Sequence, residues 1–302
     1  MYLTRHGGRD EGNDMVGFPG EGLGRFWRRA QRVAAALWVP LLLVSARAFA
    51  DQPHDWQLGW QAPATPVAAR IDALHDEVLV IITLITLFVL GLLLYVMIRF
   101  NAKRHPVPSK ATHNTLVEVI WTVVPVLILV AIAIPSFKLL YYMDKNPHAT
   151  MTLKITGHQW YWSYEYPDQG GIAFNSNMLD DETTKKEGKP RLLSVDNPVV
   201  VPVGTVIRVL VTGTDVIHSW FVPSIGVQEY AVEGRVNEAW MQLDRPGTYY
   251  GQCNQICGIN HPFMPIEIHA VSADDFAKWV DTAKKQFGQN GGVWEFAAGA
   301  AQ

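Results

Sequence analysis

The chain has 302 residues, of which 49% are hydrophobic, and a formal net charge of −3. Its mean hydropathy is only +0.06, which is too low for a chain embedded in a membrane throughout. The length suffices for one globular domain plus membrane segments. A few concentrated apolar runs joined to an ordinary polar domain would explain both values.

Residues 25–50 have the pattern of an export signal. A basic region precedes a short apolar stretch, residues 33–44, and Ala48-Phe49-Ala50 forms a small-residue cleavage site. The apolar stretch is too short to span a bilayer, which takes about 20 residues. We therefore predict a signal peptide over residues 1–50, cleaved after Ala50, and an exported segment over residues 51–77. Because Arg47 lies beside the cleavage site, an uncleaved anchor is the alternative.

Two longer apolar runs predict a transmembrane helix hairpin over residues 78–141. Residues 78–98 carry no charge and would form a helix about 31 Å long. Residues 119–137 contain two prolines, which membrane helices tolerate. The basic loop 99–114 lacks acidic residues, so the positive-inside rule makes it cytoplasmic. The rest of the chain would then face the periplasm from a bacterial inner membrane. A buried helix pair in a soluble core is the disfavoured alternative.

Residues 142–271 are predicted to form a β-domain. Residues 152–156, 206–212, 248–253 and 265–271 are rich in β-branched or aromatic side chains, and turn signals separate them. Many short strands of this kind are typical of a β-sandwich or Greek-key barrel. The polar residues 180–191 are predicted to form an exposed loop. Within the last segment, residues 272–302, a capping box at Ser272 predicts a helix that ends at Gly288 and is followed by a loose tail.

The two cysteines of the chain, Cys253 and Cys257, lie four residues apart, and they are followed by His261 and Met264 and preceded by His218. Two thiolates, two imidazoles and a thioether suit copper. A disulfide would close a very short loop, stabilise little and leave the other donors unexplained. Cys2His2 is a familiar zinc set, but methionine is a poor zinc ligand. Copper is therefore favoured, with zinc and a disulfide as alternatives.

The second cysteine distinguishes this set of donors from a mononuclear blue-copper site, which uses one cysteine. Two copper ions could share both sulfurs, one capped by His218 and the other by His261. Sharing would spread an electron over both metals, so that little bond rearrangement accompanies oxidation or reduction. This arrangement suits electron relay and leaves no open position for a substrate.

Four segments together resemble cytochrome c oxidase subunit II. They are the copper loop at residues 251–265, the histidine motif at 214–220, the aromatic stretch at 157–166, and the start of the second membrane helix at 113–125. The resemblance covers residues 70 to about 285. It implies a two-helix transmembrane hairpin followed by an all-β cupredoxin-like Greek-key sandwich domain.

The resemblance also implies a function and partners. The outer domain would take electrons from cytochrome c and pass them to haem in subunit I, where oxygen reduction is coupled to proton translocation. The chain would be inactive alone, and subunits I and III, cytochrome c and membrane lipids would be its partners. We expect no nucleic-acid partner.

The resemblance assigns a dinuclear copper centre, CuA, to five side chains and one backbone carbonyl: His218, Cys253, Gln255 through its carbonyl, Cys257, His261 and Met264. The family commonly has glutamate where this chain has Gln255, and that carboxylate helps to hold a magnesium ion shared with subunit I. A neutral amide is a weaker ligand for a hard cation. The resemblance therefore implies a magnesium site at the interface with subunit I, which Gln255 weakens.

Trp160 has two interpretations. Alternation with Trp162, Tyr164 and Tyr166 predicts an aromatic core face. The resemblance implies instead that Trp160 is exposed and receives electrons from cytochrome c. We adopt the second interpretation for Trp160 and the first for the other three.

Residues 142–302 carry 18 acidic against 12 basic side chains, which could steer a basic partner towards this domain. The resemblance matches three of the acids to positions that dock the basic donor: Glu165, Asp196 and Asp215. Solvated surface is the alternative.

Glu118 also has two interpretations, which are compatible. Residues 115–118 fit a capping box, which would stabilise the helix start by about 0.3–1 kcal/mol. The resemblance implies that Glu118, with His113, lies on a proton path into subunit I.

A membrane-tethered copper carrier or assembly factor is the alternative function. Quinol-oxidising relatives lack the copper ligands, and the copper domain of nitrous oxide reductase lacks the hairpin. Because the sequence has no Cys-x-x-Cys-His motif, we expect no fused c-type haem.

Overall fold

The computed structural model describes residues 49–145 and 147–288. The predicted export signal lies outside the described residues apart from Phe49 and Ala50 at its end, and so does the predicted tail beyond Gly288.

Two long helices follow the N-terminal segment, α1 over Pro66–Arg99 and α2 over Thr115–Asp144. Both are long and apolar enough to cross a membrane, and the 18-residue window that meets this test in each has no side chain buried within the protein. Lipid is the medium in which such exposed apolar surface is stable. Both helices extend beyond the predicted apolar runs, because capped polar ends lengthen them on either side.

The start of α2 corrects one sequence prediction. Asn114, rather than Thr115, is the N-cap: its Oδ1 accepts a hydrogen bond from the Val117 backbone N–H at 3.2 Å, and Glu118 Oε1 accepts from the Asn114 N–H at 3.3 Å. Asparagine is the better capping residue of the two, so the helix begins one residue after it. Pro125 and Pro135 lie inside the helix, which continues through both.

The remaining described chain forms a sandwich of two mixed sheets. The strands are β1 Phe49–Asp51, β2 Met151–His158, β3 Tyr161–Tyr166, β4 Ile172–Ser176, β5 Val199–Pro202, β6 Ile207–Gly213, β7 His218–Val222, β8 Val227–Ala231, β9 Asn237–Met241, β10 Gly247–Cys253 and β11 Pro265–Val271. The first sheet has the strand order β5–β11–β10–β7–β8, with β1 paired to β10, and the second has the order β4–β3–β2–β6–β9.

The core lies between the two sheets. Alternate side chains of β2, β3 and β4 are buried, as a strand with one face towards a core requires. The four predicted strand segments are confirmed as β2, β6, β10 and β11, although β6 begins at Ile207, one residue later than predicted. The predicted fold, a two-helix hairpin followed by a β-sandwich, is confirmed.

Two further predictions concern segments outside the hairpin that form helices. The segment predicted as a loop, 180–191, contains the helix α3, Asp181–Glu187. Asp180 caps it by accepting a hydrogen bond from the Thr183 N–H at 2.8 Å, and acidic residues in the first turn with lysines in the last complement the helix dipole. The predicted C-terminal helix is confirmed as α4, Ala273–Phe287, capped by Ser272.

Residues just before α1 attach the hairpin to the sandwich. Thr65 Oγ1 caps α1 and donates to the Ile225 carbonyl at 2.6 Å, and the Ala64 N–H donates to the Ser224 carbonyl at 2.8 Å. Because these contacts involve rigid backbone on both sides, the outer end of α1 is held against the turn between β7 and β8. The sandwich therefore sits at one end of the hairpin.

Candidate metal centre

The predicted metal loop connects two neighbouring strands. Cys253 is the last residue of β10, and Met264 immediately precedes β11, whose first residue pairs with Gln252. The loop therefore begins and ends at adjacent positions on two paired strands. His218 begins β7, the other neighbour of β10, where Cys253 pairs with Trp220. Antiparallel pairing thus brings donors 35 residues apart in sequence to one end of the sandwich.

The donors converge on Cys257. Its Sγ lies 4.0 Å from Cys253 Sγ, 3.6 Å from His261 Nδ1 and 3.6 Å from Met264 Sδ. The carbonyl oxygen of Gln255 lies 3.3 Å from Cys253 Sγ. His261 is half-buried and the other four side chains are buried, with exposed fractions of 0% for His218, 6% for Cys253, 3% for Cys257 and 1% for Met264.

The two thiols are free in the structure. Their separation of 4.0 Å is about twice the S–S length of about 2.05 Å in a disulfide. The geometry therefore favours a shared metal over the disulfide alternative.

His218 presents one ring nitrogen to the thiols. Its Nε2 lies 2.7 Å from Asp215 Oδ1. Its Nδ1 is buried and makes no hydrogen bond of ordinary geometry within the described part of the chain. One ring nitrogen lies within 4.8 Å of both sulfurs. Because buried polar atoms nearly always have a partner, the unpaired Nδ1 indicates a ligand position.

The two thiols differ in acidity. Burial opposes ionisation of Cys253, but the neighbouring His218 and His261 rings and the backbone groups of Ser219 and Gln255 together outweigh it and lower the pKa of Cys253 to about 7. Burial, and then the nearby Cys253 thiolate, raise the pKa of Cys257 to about 12. A bound cation would stabilise both thiolates in place of their protons.

Trp160 lies against this loop. The β2–β3 pairing ends at His158 and Tyr161, so that Gln159 and Trp160 form the turn between the strands. Trp160 is half-buried, and its Nε1 donates to the Cys257 carbonyl at 3.2 Å. The Gln159 side chain donates to the same carbonyl at 2.8 Å.

The aromatic alternation is therefore confirmed for three of its four residues. Trp162, Tyr164 and Tyr166 are buried in the core, whereas Trp160 precedes the strand. Gly258 makes room for its ring: at a φ of +124°, a Cβ there would come within 2.8 Å of Trp160 Cζ2.

The three predicted docking acids differ in their contacts. Glu165 forms an ion pair with Lys154 at 2.8 Å. Asp196 is exposed and accepts from the Asn177 N–H at 2.7 Å. Asp215 binds His218, and this contact was not predicted from the sequence. The three-residue spacing between Asp215 and His218 was the available signal, but it also fits an ordinary turn.

The residues of the predicted proton path are not part of this cluster. His113 is exposed and Glu118 is half-buried, and both lie where the hairpin loop meets α2. Gln255 is half-buried. With Glu229 and Arg235 it lines a cavity of about 380 Å³ beside the metal loop.

Comparisons with known proteins match both parts of the chain. Residues 53–139 match the family "Cytochrome C oxidase subunit II, transmembrane domain", and residues 151–271 match "Cytochrome C oxidase subunit II, periplasmic domain". A probable cytochrome c oxidase subunit 2 of Rickettsia bellii is 50% identical over 260 residues, which are 86% of this chain and 96% of the relative.

Further relatives come from other organisms. Cytochrome c oxidase subunit 2 of Cyanidium caldarium is 46% identical over 235 residues, covering 76% of this chain and 92% of the relative. The crystal structure of the periplasmic domain of subunit II from Bradyrhizobium japonicum is 51% identical and covers 47% of this chain and 99% of that domain, with a TM-score of 0.44. The two family matches and the relatives at 50% and 46% identity show that the chain belongs to the cytochrome c oxidase subunit II family.

Proposed function

We propose that this chain is the electron-input subunit of cytochrome c oxidase. It accepts electrons from cytochrome c at a dinuclear copper centre and passes them to haem in subunit I, where oxygen reduction is coupled to proton translocation. The observation that carries this proposal is the convergence of three donor atoms on one thiol: Cys253 Sγ, His261 Nδ1 and Met264 Sδ all lie within 4.0 Å of Cys257 Sγ.

The donors fit copper in type as well as in position. Two thiols and a thioether are soft donors, and imidazole suits copper equally well. The buried Nδ1 of His218 lacks a hydrogen bond from any residue that the structure describes, which a metal ligand would explain. The residues that would hold the two coppers are His218, Cys253, Cys257, His261, Met264 and Gln255 through its carbonyl.

When bound to these residues, a copper pair would store one electron over both metals with little change in bonding. The protein's own contribution is rigidity and exclusion of water. Cys253 ends a paired strand and Met264 is anchored at the start of another, so the loop between them has both ends fixed. Because four of the five donor side chains are buried, water has little access to the sulfurs.

The charge pattern supports one orientation of the chain across the membrane. The loop between α1 and α2 is basic, which favours the cytoplasmic side of a bacterial inner membrane. The sandwich then faces the periplasm, where it meets cytochrome c. Trp160 would receive the electron, and Glu165, Asp196 and Asp215 would contribute to docking. Glu118 and His113, at the opposite end of the hairpin, would lie on a proton path into subunit I.

The alternative, a copper carrier, predicts different behaviour of the purified oxidase complex. We expect ferrocytochrome c to change a broad visible and near-infrared copper band before haem is reduced. We also expect a Cu(I) chelator to remove this copper slowly, because the ligands are buried. Rapid loss of copper to the chelator, without any spectral response to cytochrome c, would identify a carrier instead.

Gln255→Glu is expected to tighten binding of magnesium or manganese at the interface with subunit I. Gln255 shares its cavity with the Glu229 carboxylate and the Arg235 cation, whose opposite charges offset each other, so a carboxylate at position 255 would add a negative ligand for a divalent ion. A carboxylate is a stronger ligand than an amide for a hard cation, and we expect binding about 10-fold tighter, which corresponds to about 1.4 kcal/mol. Metal analysis of the purified complex after dialysis measures the effect.

The matched control for this prediction is Gln252→Glu. Gln252 is exposed on the neighbouring strand and is not among the residues that line the cavity, so the same added charge should leave the divalent-ion content unchanged. If Gln255→Glu also leaves that content unchanged, the amide at this position is not what weakens the magnesium site.

A further inference from the structure

We propose that Asp215 is a positioning residue of the metal centre: it fixes the tautomer and orientation of His218 and joins this ligand to the turn that carries Trp160. This inference rests on the proposed function, since it concerns how the chain holds its copper. It differs from the docking role, because it requires contacts inside the protein rather than contacts with cytochrome c.

Both carboxylate oxygens of Asp215 are occupied by protein donors. Oδ1 lies 2.7 Å from His218 Nε2 and accepts from the Val216 N–H at 2.7 Å. Oδ2 accepts from the Gln159 N–H at 2.7 Å. The side chain is 31% exposed. A carboxylate used only for docking would present its oxygens to solvent, whereas this one is directed into the protein.

The contact with His218 determines which nitrogen can bind metal. An ionised carboxylate can only accept hydrogen bonds, so Nε2 carries the proton in the neutral ring and Nδ1 keeps its lone pair. This is the nitrogen that is buried without a hydrogen bond. Histidine ligands commonly donate their other N–H to a carboxylate, which orients the ring and raises its basicity.

Packing completes the orientation of the ring. Trp162 meets the His218 ring edge to face, with centroids 6.0 Å apart. Gly157 lies beside both, and a Cβ at this position would come within 3.0 Å of His218 Cδ2. The ring is therefore enclosed on its sides, and Asp215 fixes the end that points away from the sulfurs.

The same carboxylate connects the two halves of the centre. Through Oδ2 it holds the backbone of Gln159, whose side chain donates to the Cys257 carbonyl at 2.8 Å. His218 on one side and Cys257 on the other are thus joined by two hydrogen-bonded residues. A shift of Asp215 would be transmitted both to a metal ligand and to the turn beside it.

The experiment uses Asp215→Ala and Asp215→Asn in the full oxidase complex, with Asp196→Asn as the matched control. Asp196 undergoes the same loss of charge but is not hydrogen-bonded to a metal ligand. The readouts are the rate at which a chelator removes copper, the electron paramagnetic resonance spectrum of the copper pair and its reduction potential. Assembly is followed by the haem content and by co-purification of the subunits.

We expect Asp215→Ala to lose copper about 10- to 100-fold faster than wild type, the usual cost of removing a partner of a metal-bound histidine. Asp215→Asn keeps an oxygen that accepts the His218 N–H, so it should retain copper. Its reduction potential should rise more than that of Asp196→Asn, because a neutral acceptor makes the imidazole a weaker donor. If the Asp215→Ala complex fails to assemble, the reduction potential of the copper pair in the Asp215→Asn complex tests the positioning role.

The positioning role would be overturned if both Asp215 variants kept wild-type copper retention, spectrum and reduction potential. Only a raised KM for cytochrome c, as in Asp196→Asn, would then show that Asp215 acts in docking alone. The proposed function would survive that result, because the wild-type complex would still show its copper pair. A wild-type complex without a copper pair would overturn both.

Discussion

Cys257→Ser is expected to remove two copper ions per chain and to reduce cytochrome c oxidation by more than about 100-fold. The Cys257 sulfur is the common neighbour of Cys253, His261 and Met264. Serine has nearly the same size, so the buried loop should fold. Its hydroxyl is a hard donor that does not ionise near neutral pH, and copper sites of this type depend on soft thiolates. Loss of a ligand shared by both metals should weaken copper binding by more than the 10- to 100-fold that follows the loss of a residue that only orients a ligand.

The measurement is copper per complex in wild type and variant, together with the rate of cytochrome c oxidation. Taking the difference cancels any copper held by other subunits. Met264→Leu is the matched control: it changes a buried side chain of similar volume but removes only a weak thioether ligand, so both coppers should remain. A difference of one copper would show a mononuclear site, and no difference would show that Cys257 is not a ligand.

The fold was largely predictable because its signals are local. Uncharged length identified both helices, and alternation of apolar residues identified strands such as β2 and β6. The errors occurred where short polar segments compete between similar structures. Residues 180–191 are polar enough for a loop, yet Asp180 and the charge order of α3 suffice for two helical turns. Asn114 and Thr115 are both capping residues, and sequence alone did not choose between them.

The cluster of candidate metal donors was predictable for a different reason. Cys253 and Cys257 are the only cysteines, so their spacing is informative without a structure. The supporting contacts were not predictable, because they join distant segments. Gln159 reaches the Cys257 carbonyl across 98 residues, and nothing in the composition of either segment indicates that they meet. Strand pairing alone brings them together.

Trp160→Leu is expected to slow reduction of the copper centre by cytochrome c about 100-fold while copper content stays at the wild-type level. Trp160 is half-buried, and its ring lies over Gly258 at the surface of the metal loop. Leucine would remove the aromatic ring between donor and metal and the hydrogen bond to the Cys257 carbonyl. Small misplacements of reacting partners can cost about 100-fold in rate. The sulfurs should be unaffected, because Gln159 still donates to the same carbonyl.

Rapid-mixing kinetics with two reductants separate the electron-input role from a structural one. A small inorganic reductant reaches the centre without docking, so it should reduce the Trp160→Leu variant at the wild-type rate, while cytochrome c should not. Trp160→Phe keeps an aromatic ring but loses the Nε1 donor, so its rate should fall between those of leucine and wild type. Equal slowing with both reductants would mean that Trp160 supports the metal loop. A wild-type rate with cytochrome c would mean that electrons arrive elsewhere, and the exposed residues of the same loop, such as Ile256 and Ile259, would then be the next positions to test.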